Sequence, residues 1–287
     1  MRFVDAKNGW IITDGPVFRS TDGGATWKPL EGWNPLSPDA IWFLDAKRGW
    51  LHDATGPLLT TNDGGSTWEG ASPPSKDWAK PGFQYPPDMF RFKDAQNGLG
   101  WDVPDILRTR DGGRTWKKIA TLPTNEEVTD ICFGPGGEAY AAGLKTIGGG
   151  LNADGMFIRR VSTGSAPVVL AGPLKEVMDI GFGAECFFKA GKLWAAAPEG
   201  SAYWTKDGGA HWTNLHLIQN GLLRVQDNGD QWVLGESLFF LGPGRIEGDR
   251  MSGVKDDGAA GLSFTIQDGK PKALFLDGNT LLTYDLE

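Results

Sequence analysis

Four aspartates recur in one short string, and a repeated acid could in principle serve catalysis or bind a metal ion. The string reads Ser or Thr, any residue, Asp, Gly, Gly, any residue, Thr or His, Trp, and it occurs at 20–27, 61–68, 109–116 and 205–212. Glycosidases use one carboxylate pair in one site, and a calcium loop needs oxygen ligands at positions where this string has glycine. We therefore predict a structural role for its aspartates and tryptophans: Asp22, Trp27, Asp63, Trp68, Asp111, Trp116, Asp207 and Trp212.

Each residue type in the string suits a tight turn between two strands. The paired glycines allow backbone angles that a Cβ atom would forbid. The aspartate is expected to accept hydrogen bonds from backbone N–H groups of its own turn, and the Ser or Thr hydroxyl can add another. The tryptophan is expected to begin the following strand and to pack its ring against a neighbour.

A second acidic phrase precedes the first three copies of the string. It reads FVDAKNGW at 3–10, FLDAKRGW at 43–50 and FKDAQNGLGW at 92–101. Its aspartates are Asp5, Asp45 and Asp94. Because they recur in the same phrase, we interpret them as turn residues rather than as catalytic acids.

The histidines and tyrosines do not form a recognisable site. His211 replaces the Thr of the fourth string and is expected to face solvent. A sialidase would need a Tyr nucleophile with a Glu partner. The candidates Tyr140 and Tyr203 follow Glu138 and Glu199, but they lie within the repeat framework, where packing accounts for them. We predict no catalytic residue, no metal ligand and no cofactor.

The spacing of the repeats predicts the fold. The four aspartates of the string are separated by 41, 48 and 96 residues, and each unit divides into four short strands joined by Gly, Asn and Asp turns, which is typical of a β-propeller. We predict an all-β, seven-bladed β-propeller with four-stranded antiparallel blades, in a single domain over residues 1–287. The approximate units are 1–39, 40–86, 87–127, 128–176, 177–219, 220–259 and 260–287.

Departures from the repeat indicate where a partner could bind. Residues 70–88 and 144–155 are insertions in connections that are expected to emerge on the same face, opposite the repeated turns. Loops on a rigid scaffold often carry function, and aromatic side chains among prolines suit an interface. The predicted partner-binding residues are Trp33, Trp78, Phe83 and Tyr85. Alternatively, the first insertion folds down as a lid over the channel mouth.

The repeated string resembles the Asp-box, or BNR repeat. Together with the phrase that precedes it, it resembles the photosystem II stability and assembly factor family, well over residues 1–119 and fairly over 186–215. This resemblance implies a seven-bladed propeller that binds proteins without catalysis. It also implies a location outside the cytosol, which would be periplasmic, lumenal or secreted, so that the protein would be exported.

Composition and charge narrow the possible partners. The net charge of −8 argues against nucleic acid, no apolar run is long enough to span a bilayer, and the start of the chain does not read as a signal peptide. We therefore predict a monomeric, non-catalytic scaffold with a protein partner. The alternatives are a carbohydrate-binding propeller, since a glycan is a possible ligand, and a sialidase-like glycoside hydrolase.

Two features stay open at the level of sequence. Cys132 and Cys186 are the chain's two cysteines, and their small number favours two buried thiols over a disulfide framework. Both fall on predicted inner strands of neighbouring units, so a bridge is also compatible. The last unit ends at its third strand, so that either upstream residues supply a fourth strand or the last blade has three.

Overall fold

In a computed structural model, the residues that are described lie almost entirely in β-strands and in the turns between them. No described residue is helical. From residue 215 onwards, only the backbone of the described residues is described, and not their side chains. The described residues are 2–5, 7–12, 16–30, 38–53, 58–70, 89–102, 104–146, 153–162, 168–174, 184–197, 201–216, 222–225, 231–234, 238–240, 249–250, 259–267, 270–277 and 280–285.

Each of the first three sheets has four antiparallel strands that follow one another along the chain. The first contains β1 (Arg2–Phe3), β2 (Gly9–Ile12), β3 (Val17–Ser20) and β4 (Lys28–Pro29). The second contains β5 (Pro38–Phe43), β6 (Gly49–Asp53), β7 (Leu59–Thr61) and β8 (Glu69–Gly70). The third contains β9 (Met89–Phe92), β10 (Gly98–Asp102), β11 (Asp105–Thr109) and β12 (Lys117–Thr121).

The remaining described strands form three further four-stranded sheets and one of three strands. The fourth sheet contains β13 (Glu126–Phe133), β14 (Ala139–Thr146), β15 (Ala153–Val161) and β16 (Val168–Leu174). The fifth contains β17 (Glu185–Lys189), β18 (Lys192–Ala197), β19 (Ser201–Thr205) and β20 (Thr213–His216). The sixth contains β21 (Leu222–Val225), β22 (Gln231–Leu234), β23 (Leu238–Phe240) and β24 (Asp249–Arg250). The seventh contains β25 (Ala259–Gln267), β26 (Lys270–Asp277) and β27 (Thr280–Asp285).

By its internal contacts the chain divides into two compact units. The first comprises Met1–Gly100, Leu107–Lys117 and Gly258–Glu287, and the second comprises Trp101–Ile106 and Lys118–Asp257. Within the first unit, β25 lies beside β1. Among the described residues there is no helix of the length and apolarity that a bilayer span requires.

Large aromatic side chains build the core of the first unit. Trp10 and Phe43 are fully buried, and their rings stack with centroids 3.6 Å apart. Trp50 and Phe92 repeat this stack one sheet further on, at 3.7 Å. The tryptophan that ends the phrase therefore packs on the phenylalanine that ends the first strand of the next sheet. This contact ties consecutive sheets together by apolar burial.

The core of the second unit contains a disulfide bond. Cys132 of β13 is bonded to Cys186 of β17, and both lie in a buried cluster with Tyr140, Leu144 and Met156. The preference for two buried thiols was therefore wrong. The two cysteines are 54 residues apart in sequence, and only the packing of two sheets against each other brings their Cα atoms to 5.7 Å.

Candidate functional site

The four aspartates of the repeated string use both carboxylate oxygens within their own turns. In the second copy, Asp63 Oδ1 accepts hydrogen bonds from the Thr61 hydroxyl at 2.8 Å and the Thr67 N–H at 2.9 Å. Asp63 Oδ2 accepts from the Thr67 hydroxyl at 2.6 Å. Asp22 and Asp111 repeat these bonds with their own neighbours. The carboxylates thus bond within their own turns, and their structural role stays a prediction.

The fourth copy keeps the geometry with a different donor. His211 stands where the other copies have threonine, and its Nδ1 lies 2.7 Å from Asp207 Oδ2. The imidazole is 89% exposed, as expected from the sequence. An imidazole N–H can replace a hydroxyl here because the turn requires one donor at this point.

The paired glycines close each turn. In the first three copies and the fourth alike, both have positive φ, for example 79° at Gly64 and 95° at Gly65. A Cβ atom on Gly64 would lie 2.6 Å from the Ala46 carbonyl oxygen. Glycine is therefore required at this position both for its backbone angle and for its lack of a side chain.

These hydrogen bonds hold the aspartates in the ionised state. The bond from the Thr67 hydroxyl, with that from the Thr67 N–H, lowers the pKa of Asp63 to about 2. The Thr26 hydroxyl lowers the pKa of Asp22 in the same way. The backbone N–H of His211 contributes most to the lowered pKa of Asp207. A general acid needs the opposite shift, so these carboxylates are poorly suited to proton donation.

The second acidic phrase forms a turn of its own. Oδ1 of Asp5 accepts the N–H groups of Lys7 and Asn8, both at 2.8 Å. Asp45 and Asp94 do the same with their neighbours. The interpretation of these acids as turn residues agrees with the structure.

The two kinds of repeated turn are bonded to each other. Gly23 donates its N–H to the Lys7 carbonyl at 2.9 Å. Gly64 donates to Lys47 at 2.7 Å, and Gly112 donates to Gln96 at 3.0 Å. Each of the first three sheets thus carries both turns at one end, joined through the backbone.

The tryptophans of the second phrase extend this link to the next sheet. Trp10 Nε1 donates to the Gly64 carbonyl at 3.1 Å, and Trp50 Nε1 donates to the Gly112 carbonyl at 2.9 Å. Trp194 of the fifth sheet donates instead to Lys189 of its own sheet, at 3.2 Å.

Arg19 is a connecting residue that the sequence analysis missed. Its guanidinium donates to the Ala46 carbonyl at 3.0 Å and the Asp63 carbonyl at 3.3 Å, and it lies over the Trp10 ring at 5.4 Å. The corresponding residue of the second sheet is Thr60. The third sheet has arginine there again, Arg108 before Thr109, so the repeat carried a partial signal that the sequence analysis did not use.

The tryptophans of the string each contact another side chain or cluster. Trp68 contacts Phe43 and Trp116 contacts Phe92, in both cases edge-on. Trp27 contacts Phe3 and donates its indole N–H to the Gly24 carbonyl at 3.1 Å. Trp212 packs against the disulfide cluster. These rings therefore pack within the protein.

The two candidates for the tyrosine nucleophile of a sialidase-like mechanism are buried. Tyr140 and Tyr203 are each 7% exposed and lie in the disulfide cluster. Burial, with the nearby Glu138 carboxylate, raises the pKa of Tyr140. A tyrosine nucleophile needs the opposite shift. Over the described part of the chain, no three His, Cys, Asp or Glu side chains are grouped as metal ligands.

The predicted partner-binding residues lie outside the described residues. These are Trp33, Trp78, Phe83 and Tyr85. Their role stays a prediction.

Comparison with known proteins identifies the repeated string and the fold. The BNR/Asp-box repeat matches residues 18–29. These residues form an Asp-box. Among curated protein sequences, none matches the chain.

Solved structures match over much more of the chain. YCF48 bound to D1 peptide superposes with a TM-score of 0.69 at 19% identity, covering 99% of this chain and 91% of that one. The fold is a β-propeller. YCF48 from Cyanidioschyzon merolae has a TM-score of 0.66 at 17% identity, covering 99% of this chain and 92% of that one. An ancestral GH74 enzyme has a TM-score of 0.62 at 10% identity, covering 91% of this chain and 38% of that one.

Proposed function

We propose that the protein is a non-catalytic β-propeller that binds a protein segment and acts in the assembly or stability of a protein complex. The observation that carries this proposal is the similarity, over nearly the whole of both chains, to a YCF48 structure that holds a D1 peptide. A propeller of this size offers loops on a rigid scaffold, which suits the recognition of an extended segment. The number of blades, which we propose to be seven, follows from the repeat.

The state of the repeated carboxylates supports the absence of catalysis. The Asp-box aspartates bond within their own turns, and so do those of the second phrase. They are therefore committed to the scaffold. A pair of glycosidase acids needs one member with a raised pKa and a substrate between the two, which these turns do not provide.

We place the partner on the face opposite the Asp-box turns. The sequence argument for this face rests on the insertion with Trp78, Phe83 and Tyr85, and on Trp33 one unit earlier. Ten of the chain's tryptophans lie among residues with described side chains, and those of the repeats pack within the scaffold. The aromatic residues of the insertion are therefore the better candidates for an interface.

A glycan ligand is the second candidate, and the similarity to a GH74 enzyme favours it. That similarity covers 38% of the enzyme's chain, so most of the enzyme has no counterpart in the match. The glycan hypothesis is therefore the weaker one.

The proposal can be tested with two matched triple variants. One carries Trp78→Ala, Phe83→Ala and Tyr85→Ala. The control carries Lys7→Ala, Lys28→Ala and Lys117→Ala. These three exposed positions lie in a turn of the second phrase or directly after an Asp-box. Cross-linking in the native source followed by mass spectrometry identifies the partner, and its affinity for each purified variant is then measured.

We expect the aromatic variant to lose most of its affinity and the lysine variant to bind as the natural protein does. Equal affinity of both variants would refute the proposed face. Specific retention of a glycan, with no protein bound, would refute the proposed function in favour of the second candidate.

A further inference from the structure

The fourth and fifth sheets meet along β13 and β17, where a disulfide and two hydrogen bonds link β13 to β17 and to Ala184, the residue before it. The Thr129 hydroxyl donates to the Ala184 carbonyl at 2.6 Å. The Cys186 N–H donates to Asp130 Oδ2 at 3.1 Å. The third bond is the disulfide between Cys132 and Cys186. We call these five residues the β13–β17 seam.

The register of β13 explains why these side chains point the same way. Asp130 and Cys132 are two residues apart, so they lie on one face of the strand. The pairing with β14 shifts between Val128 and Asp130, which makes Thr129 the extra residue of a β-bulge. The bulge lets Thr129 reach β17 as well.

The cysteine occupies a position that is aromatic in the second sheet. Cys132 lies opposite Tyr140, which is the second residue of β14 as Trp50 is of β6. In the second sheet, the residue opposite Trp50 is Trp42. Trp42 packs into the cluster of Phe90 and Phe92. It also donates its indole N–H to the Phe92 carbonyl at 3.0 Å. The same position therefore reaches the next sheet by apolar bulk in one case and by a covalent bond in the other.

The second strands of the fourth and fifth sheets differ from that of the second sheet in one buried position. Alanine follows the buried aromatic residue on these strands, as Ala141 and Ala195, whereas the second sheet buries Leu51 there. Stabilisation by burial scales with the apolar area removed from water, so each alanine contributes less to the core than Leu51 does.

We propose that the Cys132–Cys186 disulfide is a redox-dependent clasp between the fourth and fifth sheets, in the place where the second sheet has the Trp42 contact, and that the protein acquires it in an oxidising compartment. The bond closes a long loop, which restricts the unfolded chain more than a short loop would. Stable structural disulfides belong to oxidising compartments. The second unit consequently depends on the redox state of its surroundings, and the first unit does not.

Formation of the bond requires an oxidant, which we take to be a disulfide-bearing oxidoreductase. One thiolate of the pair attacks the oxidant's disulfide and forms a mixed disulfide, releasing one oxidant thiol. The second thiolate then displaces the remaining oxidant sulfur. The oxidant leaves as a dithiol that carries both electrons and both protons. Because Cys132 and Cys186 are 8% and 3% exposed in the folded protein, we expect oxidation during folding rather than after it.

The first experiment compares the natural protein with the Cys132→Ala, Cys186→Ala double variant. Each is melted in oxidising buffer and after reduction by dithiothreitol in mild denaturant that is then removed, and thiols are counted by alkylation and mass spectrometry. We expect the natural protein to gain two alkylated thiols on reduction and to melt about 10 °C lower. The double variant should melt at that lower temperature in both buffers.

Hydrogen exchange on the reduced natural protein keeps the test independent of the variant's folding. We expect faster exchange in β13 and β17 and unchanged exchange in β5 and β9. Unchanged melting after both thiols have been exposed would overturn the proposal, as would equally faster exchange in both units.

The compartment is tested by adding an alkylating agent to native cells before lysis. An intact bond, with no alkylated cysteine, is the expected result. Two alkylated thiols in the native protein would overturn the assignment to an oxidising compartment.

Discussion

At the scale of single residues, the Asp-box aspartates act through the hydrogen bonds that they accept. Each closes its turn by receiving hydroxyl or imidazole donors and backbone N–H groups from its own loop. A charged acceptor forms stronger hydrogen bonds than a neutral one. The ionised state of these carboxylates is therefore part of the stability of the turns, and stability should depend on pH through them.

Asp63→Asn tests this dependence. Its folded pKa of about 2 lies below the ordinary 3.8, so the contribution is fully present above pH 4 and is lost as the pH falls towards 2. At pH 7 we expect the variant to lose about 1 kcal/mol of unfolding free energy, a value that allows for solvent screening at this exposed turn. Urea titrations between pH 7 and pH 2.5 should show the difference shrinking, and a difference independent of pH would contradict the argument.

Two glycine substitutions separate backbone strain from steric contact. Gly64 and Gly208 both have positive φ, at 79° and 72°. A Cβ on Gly64 would press on Ala46 and Arg19, whereas one on Gly208 would meet nothing within 4 Å. We expect Gly208→Ala to cost about 1–2 kcal/mol from the left-handed conformation alone. Gly64→Ala should cost about 2 kcal/mol more through overpacking.

Denaturant unfolding of both glycine variants measures the difference. Equal losses would mean that the contact with Ala46 and Arg19 relaxes without cost.

At the scale of elements, turn geometry and the contacts between sheets determine how the strands are held. The β17–β18 hairpin has a two-residue turn at Ala190 and Gly191, since Lys189 pairs with Lys192. Both turn residues have positive φ, 50° and 71°. Such a turn favours Asn-Gly, so alanine at position 190 is a local mismatch.

Ala190→Asn should therefore stabilise the protein. Asparagine tolerates the left-handed region better than alanine does, and we expect a gain of about 0.5–1 kcal/mol in unfolding free energy. Thermal melting measures the gain, with Ala210→Asn in the fourth Asp-box as the control for a simple surface change. A lower melting temperature for Ala190→Asn would show that the turn does not need that residue type.

Trp10 tests the link between the first two sheets. Trp10→Phe keeps much of the stack on Phe43 but removes the donor to the Gly64 carbonyl, and we expect it to cost about 1–3 kcal/mol. Trp10→Ala also removes the stack and should cost about 3–5 kcal/mol. Urea unfolding of the two variants separates the free energy of the hydrogen bond from that of the ring stack. Equal costs would assign all of it to the hydrogen bond.

At the scale of the whole molecule, the propeller fold admits both binding proteins and hydrolases, as the YCF48 and GH74 similarities show. Fold alone does not decide between them. The function must follow from the groups that the loops present. In the described part of the chain, the repeated acids are committed to turns and the two described tyrosines are buried.

We therefore expect the purified protein to release no reducing sugar from xyloglucan and no fluorophore from synthetic glycosides. An active GH74 enzyme assayed in parallel shows that the conditions suffice. Turnover that survives repeated purification would contradict the non-catalytic proposal. It would direct attention to carboxylates outside the described residues.

The sequence alone determined the all-β class and the propeller fold, and it predicted turns at both repeated phrases. It could do so because these turns are local. A turn that needs positive φ selects Gly64 and Gly65, and the acceptor that closes it, Asp63, is two residues from its first donor. The same pattern recurs along the chain, so each copy supports the interpretation of the others.

The tertiary structure decided which distant groups meet. Trp10 donates to a carbonyl 54 residues away, and Arg19 bonds to the turns of the next sheet, a contact that its place before the string does not specify. The bond between Cys132 and Cys186 depends on how the fourth and fifth sheets pack. Sequence spacing constrains neighbours along the chain, whereas contacts between sheets depend on register and side-chain volume across them. For this reason the scaffold could be predicted from the sequence, and the bonds that join its sheets could not.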